Sequence, residues 1–114
     1  MKVVFFISLV ICILFAINAA HAEWYYDVIM DGDIRSAYFA GWKGLDCIYI
    51  HASALKNIKV PQDYRASHAE FLEQTCIKGK NDNRESKGDR QFAEKEILSL
   101  EKLFVDRIPM LKAK

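Results

Sequence analysis

The chain has 114 residues, of which 52% are apolar, 27% charged and 12% aromatic, and its formal net charge is +1. This composition excludes collagen-like, low-complexity and wholly disordered chains. The length allows one domain and excludes a multidomain enzyme.

The first 22 residues have the pattern of a secretory signal peptide. Met1 and Lys2 precede an apolar stretch from Val3 to Ile17, and Ala20-His21-Ala22 then supplies the small-x-small site that a signal peptidase accepts. The stretch is shorter than the roughly 20 residues that a membrane-spanning helix needs. We therefore expect cleavage after residue 22, a periplasmic or secreted product, and no stable membrane insertion afterwards. Residues 23–114 then form a single helical domain.

The first half of this domain is predicted to contain one long central helix. Residues 23–30 show neither helical nor strand periodicity and are interpreted as an irregular or short extended lead-in. Asp31 or Asp33 can cap a following helix. Steps of three and four then predict one continuous helical face, made by Ile34, Tyr38, Gly41, Leu45, Ile48, Ala52 and Leu55.

Two further helices are predicted in the second half. Pro61 suits the first turn of the second helix, which is expected to stop near Gly79. Residues 79–89 contain no large apolar side chain and are interpreted as a flexible loop. Asp89 can cap the third helix, which is expected to end or kink at Pro109. The sequence thus predicts an all-α, three-helix bundle, to which the lead-in adds at most a short fourth element.

The cysteines indicate a disulfide. Cys12 lies in the predicted signal peptide, which leaves the pair Cys47 and Cys76, and such a pair is oxidised in an exported protein. Cys47 and His51 share a helix face and could begin a zinc site, but His68 and Cys76 lie about 12 Å apart along one helix, which is too far for one ion. We expect no metal and no cofactor, and we place both histidines at the surface or boundary beside the disulfide.

No catalytic motif is recognisable, so we expect a protein that is not an enzyme. The chain has no G-x-S-x-G, phosphate-binding glycine loop or H-E-x-x-H. Aromatic residues and an acidic excess coincide near the start of the domain, and Trp and Tyr are frequent interface anchors. The predicted partner-binding patch consists of Trp24, Tyr25, Tyr26, Asp27, Asp31 and Asp33. We expect Tyr38, Trp42 and Tyr49 to be buried.

In size, signal peptide and cysteine count, the chain resembles small exported bacterial helical proteins. These include immunity proteins, pilotin-like secretion accessories and conjugation accessories. The resemblance implies binding to another exported or envelope protein, and the near-zero net charge of the domain gives no general attraction for nucleic acid. The alternatives are a carrier that holds a small apolar ligand among its aromatic side chains, and a small secreted toxin.

Overall fold

A computed structural model describes residues 24–111, and every regular element within that range is helical. The predicted signal peptide lies outside the described residues. The helices are α1 (Trp24–Met30), α2 (Asp33–Trp42), α3 (Ile48–Leu55), α4 (Gln62–Ser86), α5 (Arg90–Arg107) and a 3₁₀ turn (Ile108–Met110). The all-α prediction is confirmed, with five α-helices in the described residues in place of the predicted three and a short fourth element. The central helix is α4, since α2, α3 and α5 all pack against it.

The lead-in is the helix α1 and not an irregular segment. Trp24 and Val28 are four residues apart, and both are buried against the core. The Trp24 ring lies 5.1 Å from the ring of Tyr64 and 6.0 Å from that of Phe104, measured between centroids. Burial of one helical face in this way stabilises a helix of only seven residues, which would be marginal alone.

The prediction of one long first helix is wrong, because the chain leaves the helical conformation between α2 and α3. Gly44 has a left-handed φ of 86°, its N–H donates to the Gly41 carbonyl, and the Leu45 N–H donates to the Ala40 carbonyl. These two bonds form a Schellman motif, which ends α2. The Asp46 carboxylate then accepts a hydrogen bond from the Ile48 N–H at 3.1 Å and starts α3.

The close contact between α2 and α4 depends on two glycines. A Cβ placed on Gly41 would overlap the backbone carbonyl of Cys76, and one placed on Gly79 would overlap the backbone carbonyl of Tyr38. The two helices therefore touch backbone to backbone, at a separation that any larger residue would prevent. Neither glycine has a positive φ. Each is therefore required because it has no side chain, and not because of its backbone conformation.

The prediction of a flexible loop over residues 79–89 is also wrong, because α4 continues to Ser86. Polar contacts replace apolar ones along this part of the helix. The Tyr38 hydroxyl donates to buried Asp82 at 2.8 Å, and the Asn83 side-chain amide donates to the Trp42 carbonyl at 2.6 Å. The helix ends where Lys87 and Gly88 adopt positive φ.

The predicted disulfide between Cys47 and Cys76 is confirmed, with a Cα–Cα distance of 5.6 Å. Both cysteines are buried, and they lie just before α3 and within α4. Since Cys76 also forms the backbone contact with Gly41, the bond joins α3 to α4 beside the closest approach of α2.

The third predicted helix is confirmed as α5. Asp89 caps it by accepting hydrogen bonds from the N–H groups of Gln91 and Phe92 at 3.0 and 3.3 Å. On its outer side, Arg35 of α2 donates two hydrogen bonds to Glu94, although both side chains are largely exposed and such a pair adds little stability. The α-helix ends at Arg107, and the 3₁₀ turn that follows contains Pro109.

We predict that Gly41→Ala destabilises the protein by more than about 3 kcal/mol, because the added methyl overpacks a backbone contact. Gly32→Ala is the matched control: Gly32 has open space around it but a φ of 75°, so the change should cost only about 1–2 kcal/mol of backbone strain. Urea unfolding followed by circular dichroism measures both. Equal losses for the two variants would contradict the assigned contact.

We predict that Cys47→Ser lowers the free energy of unfolding by about 3–4 kcal/mol, because the disulfide closes a loop of about 30 residues in the unfolded chain. Reduction of the wild type should have the same effect. Thermal unfolding with and without reductant measures it, and an unchanged melting temperature after complete reduction would count against this stabilising role.

Candidate functional site

The aromatic part of the predicted patch is divided between core and surface. Trp24 is only 8% exposed and belongs to the core, which leaves it almost no surface for a partner. Tyr25 is half-buried and packs against the core. Tyr26 is 52% exposed, and its ring lies 4.5 Å from that of Tyr25. Among the three aromatic residues of the patch, only Tyr26 is therefore exposed, and the neighbouring Asp27 is exposed as well.

The two other acidic residues of the predicted patch differ in environment. Asp31 is exposed and forms an ion pair with Lys59 at 3.0 Å. Asp33 is partly buried at the start of α2, and burial, together with the nearby charge of Asp31, raises the pKa of its carboxyl group. It lines an open cleft of about 430 Å³ beside Ser53 and Asn57. Of the six predicted residues, Trp24 thus lies in the core, while partner binding by the other five stays a prediction.

A more pronounced apolar surface lies at α3 and the turn before it. It consists of Leu45, Ile48, Tyr49 and Leu55, which are 57%, 60%, 73% and 43% exposed, and we call it the α3 patch. Tyr49 was expected to be buried with Tyr38 and Trp42. Tyr38 is fully buried and Trp42 half-buried, but the exposure of Tyr49 contradicts that expectation.

The helical break explains the error at Tyr49. A continuous helix would keep residues 38 and 49 on one face, whereas the Schellman turn at Gly44 gives α3 a direction of its own. The sequence of α3, IYIHASAL, is apolar on nearly every side. Such a helix cannot bury all its apolar residues against one neighbour. This all-round apolar sequence is the feature from which the patch could have been predicted.

The α3 helix is fixed on α4 by several different contacts. The disulfide holds Cys47, the residue before the helix begins. One turn later His51 Nδ1 lies 3.3 Å from a carboxylate oxygen of Glu73, and Ala54 is buried near the far end. Ile48, Tyr49 and Leu55 of the α3 patch are therefore presented by a helix that is held on α4.

His68 is buried among aromatic rings, which contradicts its expected place at the surface or boundary. It is 0% exposed, and its ring lies 5.5 Å from Phe104 and 6.1 Å from Trp24. Neither ring nitrogen has a hydrogen-bond partner. Burial disfavours the charged form and lowers the pKa of His68 to about 4. The imidazole is consequently neutral at physiological pH.

A buried hydrogen bond joins α2 and α4 near the glycine contact. The Tyr38 hydroxyl donates to Asp82, and Lys78 lies 3.2 Å from both the Asp82 and the Glu96 carboxylates. Burial first, and the hydrogen bond to Asp82 second, raise the pKa of Tyr38 above its usual value. The hydroxyl therefore keeps its proton, and this cluster connects α2, α4 and α5 instead of providing a reactive group.

Within residues 24–111, no group of three or more His, Cys, Asp and Glu side chains is placed to hold a metal ion. His68 and Cys76, the second pair of zinc ligands considered from the sequence, are both fully buried, and the Cys76 sulfur is bonded to Cys47. None of the helices in this range is long and apolar enough to cross a membrane.

No protein-family model matches the chain, and searches with the sequence and the fold give no significant match among curated proteins or solved structures.

We predict that His68 makes the protein less stable in acid. Its pKa is about 4 in the folded state against an ordinary value of 6.5, so the unfolded chain binds more protons between these values. Stability from this residue is therefore fully present above pH 6.5 and falls, by on the order of 3 kcal/mol, as the pH drops to about 4.

His68→Leu removes the titrating group and keeps an apolar side chain of similar size. The variant should lose markedly less stability than the wild type between pH 7 and pH 4, as measured by urea unfolding at each pH. The same acid loss in both proteins would show that other groups cause it.

Proposed function

We propose that this is a small exported, non-enzymatic protein that acts by binding another exported or envelope protein through the α3 patch. The observation that carries the proposal is the exposure of Leu45, Ile48, Tyr49 and Leu55 on one short, fixed segment. Clustered apolar side chains at a surface are typical of interaction sites. The export itself rests on the sequence pattern of residues 1–22.

The energetics of the patch favour a protein partner. Full burial of a Leu or Ile side chain stabilises by about 1.5–3 kcal/mol, and Leu45 and Ile48 remain more than half exposed in the isolated chain. Tyr49 adds a large amphipathic ring of the kind enriched at the centres of interfaces. Because the disulfide already holds the segment, binding would order few additional groups, which favours affinity.

Two roles fit this proposal. In the first, the protein is an inhibitor or immunity factor that covers the site of a toxin or enzyme. In the second, it is an accessory of a secretion or conjugation system that holds an assembly component. Both require one stoichiometric protein partner, and the identity of that partner decides between them.

We predict that a photocrosslinking amino acid at position 49 captures one partner in the native host. The matched control places the same amino acid at Leu98, which is 69% exposed on α5 and far along the chain from the α3 patch. Position 49 should give a single adduct of defined mass, and position 98 should give none. Ile48→Asp should abolish the adduct, because it places a charge in the apolar interface.

Direct binding then tests the captured protein. With the purified partner, Ile48→Asp should raise Kd at least tenfold, while Leu98→Asp should leave it unchanged and both variants should keep the wild-type circular dichroism spectrum. Equal crosslinking at both positions, or a Kd indifferent to Ile48→Asp, would rule out the α3 patch as the binding surface.

A further inference from the structure

A second feature of the surface is an open groove of about 370 Å³ between α4 and the C-terminal part of α5. Its apolar lining is formed by Phe71, Leu100, Leu103 and Leu111. The volume falls within the range of small-ligand sites. The groove shares no residue with the α3 patch, so it can be considered independently of protein binding.

The groove exists because α4 has two different neighbours. On the side of α2, glycines bring the helix backbones into contact. On the side of α5, large rings separate the helices: Phe71 and Phe104 lie 5.2 Å apart between ring centroids. The space beside this aromatic pair is left open along the surface.

Two polar groups of the groove, on Thr75 and Lys78, are engaged within the protein. The Lys78 ammonium group is paired with Asp82 and Glu96, each at 3.2 Å. The Thr75 hydroxyl donates to the Phe71 carbonyl at 2.8 Å.

Arg107 differs from these groups, because it is exposed and makes no hydrogen bond or ion pair with any side chain in residues 24–111. Glu70 also lies at the rim, but it forms no ion pair with Arg107.

The position of Arg107 indicates the charge of a ligand. Leu103, Arg107 and Leu111 follow one another at intervals of four residues along the groove, so the guanidinium group is flanked by apolar side chains. A guanidinium group binds a carboxylate through two parallel hydrogen bonds. A linear hydrocarbon chain with one terminal carboxylate matches both the apolar lining and this unpaired cation.

We propose that the groove between α4 and α5 binds a long-chain carboxylate, with the hydrocarbon on Phe71, Leu100 and Leu103 and the carboxylate on Arg107. The ligand class is a free fatty acid. Because the groove is open on one side, part of the ligand stays in water, and we expect modest affinity.

The test uses dodecanoate below its micelle concentration and the disulfide-bonded protein. Calorimetry should detect one saturable site, and NMR should show shifts of the Leu103 and Leu111 methyl groups. Arg107→Gln should raise Kd at least tenfold, and Arg107→Lys should raise it less because the charge remains. Lys102→Gln, which removes an exposed charge from the same helix, should leave Kd unchanged.

Ligands of different charge complete the test. Methyl dodecanoate should bind at least tenfold more weakly than dodecanoate, and dodecyltrimethylammonium should bind no better than the ester. The proposal is overturned by the absence of saturable binding up to 1 mM, by tighter binding of the ammonium compound, or by equal affinities of the wild type and Arg107→Gln. None of these results bears on partner binding at the α3 patch.

Discussion

The structure depends on the backbone contact of α2 with α4 at Gly41 and Gly79. Each glycine leaves room for a backbone carbonyl of the other helix. Because the helices touch at both positions, their register is fixed. That register brings the Tyr38 hydroxyl to Asp82 and the Asn83 amide to the Trp42 carbonyl. A polar stretch of α4 is therefore helical because its neighbour supplies partners for its side chains.

The same contact determines where the remaining helices can lie. The disulfide at Cys76 fixes the start of α3 on α4, directly beside the Gly41 contact. On the other side, α5 is kept at a distance by the rings of Phe71 and Phe104. One helix thus has a close neighbour and a distant one, and this asymmetry leaves an open groove beside α5.

The aromatic cluster around His68 belongs to the stable core but makes the fold sensitive to acid. Trp24 of α1 and Phe104 of α5 enclose the imidazole, and its two nitrogens have no partner. The neutral ring behaves as one more core side chain, whereas a protonated ring would place a charge in an apolar environment. His68 is therefore a buried group whose protonation opposes folding in acid.

The sequence by itself determined the all-α class, the Cys47–Cys76 pair and the Asp89 cap, because helical periodicity, an even cysteine pair and capping chemistry are local signals. Only the tertiary structure decided the length of α4, the burial of Trp24 and His68, and the exposure of Tyr49. The first depends on partners that α2 supplies, the second on the rings of Tyr64 and Phe104, and the third on the Schellman turn at Gly44. A periodic pattern reports which residues share a face, but the neighbouring helices decide whether that face is covered.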